Sequence, residues 1–78
     1  MDIQKTKLQK EIGQEIKRRR SELHLSLQDV EKLTNIKMGN ISNIEQGKIN
    51  ITMQTVEVFM RAYEVKAIFK LIKPRIKK

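Results

Sequence analysis

Apolar residues recur at three- and four-residue spacing along most of the chain, then switch to alternate positions near its end. Leu8, Ile12 and Ile16 stand four apart and, with Leu23, predict the inward stripe of a long first helix. Thr6 and Gln9 offer a capping box at its start, so residues 1–5 are expected to fray. Lys7, Lys10, Lys17, Arg18 and Arg19 fall around the remaining surface of that helix. Residues 26–47, SLQDVEKLTNIKMGNISNIEQG, predict two short helices joined by a tight turn. Ser26 and Asp29 form a second capping box, Leu25 and Val30 a hydrophobic staple, and Val30 and Leu33 the inward face. The periodicity stops at Thr34 and Asn35, and Asn tolerates the left-handed conformation a sharp turn needs. Ile36 then turns back toward the core, Ile41 and Ile44 point inward from the next helix, and Gly47 closes it.

Residues 48–51 carry no helical period. Thr52 is placed to cap a fourth helix, Ile51 and Val56 are in staple positions, and Met53, Val56, Phe59, Met60 and Tyr63 form its apolar stripe. Beyond it, Val65, Ala67, Phe69 and Leu71 alternate with Lys66, Ile68, Lys70 and Ile72, which predicts a strand over residues 65–72, ended by Pro74 and followed by a basic extension. The alternative at this place is a fifth helix. A lone strand has no partner within such a chain, so it is expected to pair with the same segment of a second subunit as an antiparallel ribbon. Val65, Ala67, Phe69 and Leu71 would form that dimer contact, with Lys66 and Lys70 facing outward to discourage further strand addition. The expected architecture is all-α, a bundle of four helices over residues 6–63, with residues 64–78 as a dimerising strand and basic tail.

Composition narrows the function. At 78 residues the chain makes one domain whose core supplies only a few kcal/mol, and without cysteine it has no disulfide or thiolate metal site. One histidine, His24, between Leu23 and Leu25, builds neither a zinc site nor a catalytic triad, and no glycine-rich phosphate loop is present; no enzyme, metal or cofactor is expected. No apolar run approaches the ~18 residues of a membrane span, and a soluble, cytoplasmic protein is expected. The net charge of +8 is concentrated at the two ends: residues 1–20 carry +4, residues 21–50 carry −1 and residues 51–78 carry +5. A polyanion partner accounts for this, although a small soluble domain carries such a charge without one. A cationic membrane-active peptide is a further class, and the order of caps and core residues argues against it.

The outward positions of the second short helix are Lys37, Met38, Gly39, Asn40 and Asn43, and a polar, Asn-bearing face on a rigidly held helix is suited to reading base edges. Residues 26–47 resemble the helix-turn-helix of the lambda-repressor-like (Xre) family of bacterial and phage DNA-binding proteins, and the resemblance extends from Ile12 to Tyr63. Its most specific piece is ISNIEQGKINITMQTV, residues 41–56, which is similar to that family's end of recognition helix, Glu-x-Gly turn and following helix start. The sequence departs from the family at Glu31, where a small residue is usual, at Asn35, often Gly, at Lys37, often a Ser or Thr cap, at His24, usually Gly, and at Leu27, frequently Gln. The resemblance implies base contacts from Lys37, Met38, Gly39, Asn40 and Asn43, and phosphate contacts from Gln28, Gln46, Lys48, Asn50, Thr52 and nearby amides. It also implies a pair between Arg20 and Glu45. Double-stranded DNA and a second copy of the chain are the implied partners. Short members with a strand-forming tail resemble HipB-like antitoxins, which adds a toxin protein as a further implied partner; restriction-modification controllers and phage repressors are other subclasses of this size.

Overall fold

The computed structural model describes the backbone of residues 2–76 and the side chains of residues 7–68. Four α-helices follow one another: α1 (Asp2–Glu22), α2 (Leu27–Thr34), α3 (Met38–Glu45) and α4 (Met53–Ile76). α1 begins ahead of Thr6, so the expected start at Thr6 lies inside the helix; no Gly or Pro stands in residues 2–12 to interrupt it. Its last turn is closed by His24, whose φ of 58° takes the left-handed conformation that the resembled family gives to Gly.

α2 starts where its capping box places it. Asp29 N–H donates to Ser26 Oγ at 3.0 Å, and Ser26 N–H donates to Asp29 Oδ2 at 2.9 Å. Asn35 ends it with a φ of 66°, its N–H donating to the Glu31 carbonyl. The same sequence logic closes the α3 turn, where Gly47 has a φ of 75°. Thr52 Oγ1 accepts the Thr55 N–H at 3.1 Å and so caps α4.

Ile16, Leu25, Val30, Ile41, Ile44, Phe59 and Tyr63 form one buried cluster, with Ile12, Leu23, Leu27, Ile36, Ile51, Met60 and Ala62 packed around it. Of the residues assigned inward by periodicity, Leu8, Leu33 and Met53 are exposed, and Val56 is half-buried outside the cluster. α1 packs chiefly against α3, α2 lies on α3 and α4, and α1 also touches α4. Phe59 and Tyr63, a helical turn apart, set their rings at 6.1 Å and 50°.

The expected strand over residues 65–72 is not formed: α4 continues through it without a break, neither strand nor separate fifth helix. No Gly, Pro or capping residue intervenes between Tyr63 and Pro74, and each added residue of a continuing helix gains a backbone bond that a single strand would lack. The dimer face drawn on that strand changes with it. At about 100° per residue, Val65 and Ala67 no longer share a side. Val65 is exposed, while Ala67 borders a groove lined with Leu23 and Met60. The side chains of Phe69, Lys70, Leu71 and Ile72, and of the basic extension, lie outside the described residues.

Candidate nucleic-acid interface

The chain brings α3 to the surface on one side only. Its inner face, Ile41 and Ile44, is buried, and its outer positions Lys37, Met38, Gly39 and Asn40 are exposed, with Asn43 half-buried at the edge. Asn43 is tied through its backbone, whose carbonyl accepts the Lys48 N–H at 2.9 Å and so fixes the turn after the helix. Of the five residues assigned to base contact, four are therefore exposed around the first turn of α3, and Asn43 follows half-buried one turn on.

Beneath that face α3 is held by α1. Arg20 Nε donates to Glu45 Oε2 at 2.7 Å and Arg20 Nη2 to Glu45 Oε1 at 3.0 Å, a two-point pair; Nη1 donates to the Leu25 carbonyl at 3.0 Å. The side chains are 15 % and 5 % exposed, so little solvent screens the pair. The Glu45 hydrogen bonds raise the Arg20 pKa against the opposing effect of burial, and the guanidinium stays charged throughout the ordinary range. Tyr63 lies at the same junction. Burial, and secondarily the Glu45 charge, push its phenol up to about 12, and its hydroxyl has no hydrogen-bond partner among the described residues.

Gly13 lets the two helices meet, a role the periodicity of α1 did not reveal. A Cβ there would collide with the Ile44 carbonyl oxygen and stand 2.7 Å from that of Glu45. The isolated Gly inside an otherwise helical pattern was the available signal. The small residue at the α1–α3 crossing thus sits on α1.

Of the residues assigned to phosphate contact, Gln28, Gln46, Lys48, Asn50 and Thr52 are all exposed. Gln46 Nε2 donates to Ser42 Oγ at 2.9 Å, and the Thr52 hydroxyl is engaged by its capping bond and by Thr55 Oγ1. Lys48 and Asn50 occupy the segment between α3 and α4. The basic run Lys17, Arg18, Arg19, Arg20 is less bare than its charge suggests. Arg18 pairs with Glu15 and Glu22, Arg19 pairs with Glu15, and the two arginines hold the Glu15 carboxyl below the usual range. Arg18 and Arg19 are thus engaged within α1, and such exposed pairs contribute little to stability.

Among the described residues, no helix is long and apolar enough to cross a membrane. A family model described as a helix-turn-helix domain matches residues 11–67, well over half of the chain. No curated protein and no solved structure matches it.

Proposed function

We propose that this chain, which belongs to the helix-turn-helix domain family of the Xre/lambda-repressor-like type, is a transcriptional regulator that binds a palindromic operator as a homodimer. α3 enters the major groove, where Lys37, Met38, Asn40 and Asn43 meet base edges and Gly39 permits close approach. Gln28, Gln46, Lys48, Asn50 and Thr52 hold the phosphate backbone. The observation that carries this is the asymmetry of α3: an inner face locked by the two-point Arg20–Glu45 pair and an outer face left bare.

Dimerisation finds support on α4 in place of the ribbon. Val58, Val65 and Ile68 are exposed and fall on one side of the helix around Arg61, a largely apolar strip suited to a second copy. Two such subunits would set their α3 helices about 34–36 Å apart, one DNA turn. The antitoxin alternative leaned on a strand-forming tail, and a helical backbone removes that support.

The test is selection of bound sites from random duplex DNA, followed by competition. Asn40→Ala and Asn43→Ala are each expected to lose about 1–3 kcal/mol at one base pair. Lys48→Ala is expected to weaken all sequences alike and lower the salt slope by about one. Unchanged selectivity in both Asn variants, or a parent chain that sediments as a monomer on its operator, would remove this assignment.

A further inference from the structure

α3 begins without a cap of its own. Lys37 occupies the capping position and makes no side-chain hydrogen bond there. The first backbone bond of the helix runs from Ile41 N–H to the Lys37 carbonyl, so the N–H groups of Met38, Gly39 and Asn40 stand ahead of the ladder. Gly39, a poor helix former, weakens that turn further. Yet four of the five residues assigned to base contact belong to it.

A side chain from α2 meets this deficit. Glu31 Oε1 accepts the Met38 N–H at 3.3 Å, across the turn between the two helices. Glu31 is itself well placed: it follows the fully buried Val30, and its carbonyl accepts the Asn35 N–H at 2.7 Å. A carboxylate at this point also complements the partial positive charge of the helix start.

We propose that Glu31 is the positioning residue of the reading turn, capping α3 from α2 in place of a cap at Lys37 and holding Lys37, Met38 and Asn40 in the pose that meets the bases. The two departures at positions 31 and 37 are then one compensating pair. The carboxylate also takes up the Met38 amide, so that this group is not offered to a phosphate. The effect on base reading rests on the DNA-binding function proposed above, whereas the cap itself does not.

Two readouts on the full chain separate these parts: hydrogen exchange of the Met38 amide, and the ratio of operator to random-duplex affinity. Loss of a helix cap corresponds to about a fivefold change in equilibrium. Glu31→Ala is therefore expected to speed Met38 exchange and to lower the affinity ratio, each about fivefold, with random-duplex binding held within about twofold. Glu31→Gln keeps an acceptor oxygen at the same reach and should retain both. Lys37→Ser supplies a local cap, so adding Glu31→Ala in that background should change Met38 exchange less than about twofold. Equal effects of Glu31→Ala with and without Lys37→Ser would overturn the proposal. So would lost selectivity with unchanged Met38 exchange, which would instead make Glu31 a direct base contact. If the parent chain prefers no duplex, the function above is what fails, and Met38 exchange still decides the cap.

Discussion

α2 and α3 have the same length, eight residues each, and face one another across a turn, but they are held by different means. α2 carries its own start signal in Ser26 and Asp29 and its own stop in Asn35, all within a few residues of sequence. α3 has no such start, and what fixes it comes from elsewhere: Glu31 on α2, Arg20 on α1, and the gap that Gly13 leaves for its carbonyls. A helix that supplies its own caps has its ends set by its own sequence, although at eight residues α2 still needs the packing of Val30 to form. A helix held by its neighbours takes a definite pose only once they are in place, which is what a surface for reading bases needs.

That contrast can be broken most severely at Arg20 and Glu45. Arg20→Met or Glu45→Gln strands a mostly buried partner, and the loss is expected to reach about 3 kcal/mol, with the double variant recovering part of it. Residue-resolved hydrogen exchange should show α3 amides losing protection ahead of those of α2. Strictly additive melts with equal loss in both helices would erase the distinction.

Gly13→Ala comes next. Its added carbon has only backbone to push against, so α1 must move off α3, at an expected 1–3 kcal/mol in chemical denaturation with roughly that range typical of overpacking. Operator affinity should fall more than random-duplex affinity, because the displaced element is the reading helix. A variant as stable as the parent would mean that the crossing is loose.

Ser26→Ala removes the local cap of α2, at about 1 kcal/mol. Here the order is reversed: α2 amides should exchange faster first, and α3 should lose less protection than in the Arg20 and Glu45 variants. Asp29 shares this dependence, since the Ser26 backbone N–H holds its carboxyl below the usual range. Its contribution is present above the ordinary carboxylate pKa and disappears as the pH falls through the depressed one.

The last effect is absent at neutral pH. The Tyr63 phenol is raised from 10.0 to about 12 by burial. The stability gained by keeping it neutral is complete below pH 10 and is lost as the pH climbs toward 12. Tyr63→Phe should therefore flatten the alkaline limb of a pH-stability curve while leaving the neutral value nearly unchanged, because the removed hydroxyl has no hydrogen-bond partner among the described residues. An alkaline limb identical in both proteins would show that Tyr63 does not titrate with unfolding.

By itself the sequence determined whatever depends on residues within about one helical turn of each other. The capping box of Ser26 and Asp29, the left-handed Asn35, the closing Gly47 and the α4 cap at Thr52 are all of this kind, and so is the side of α3 that turns outward, whereas the box read at Thr6 and Gln9 falls inside α1. Periodicity also picked out Ile16, Val30, Ile41, Ile44, Phe59 and Tyr63, because a helical stripe flanked by charge has one side to bury. Periodicity states which side of a helix is apolar; whether something stands opposite is a tertiary matter. Leu8, Leu33 and Met53 were therefore beyond its reach, as were Gly13 against Ile44 and Glu31 against Met38. The tail was decided in the same way: alternation over residues 65–72 suits a strand, but a strand needs a partner for every backbone group, and a helix already under way satisfies them from its own preceding turn.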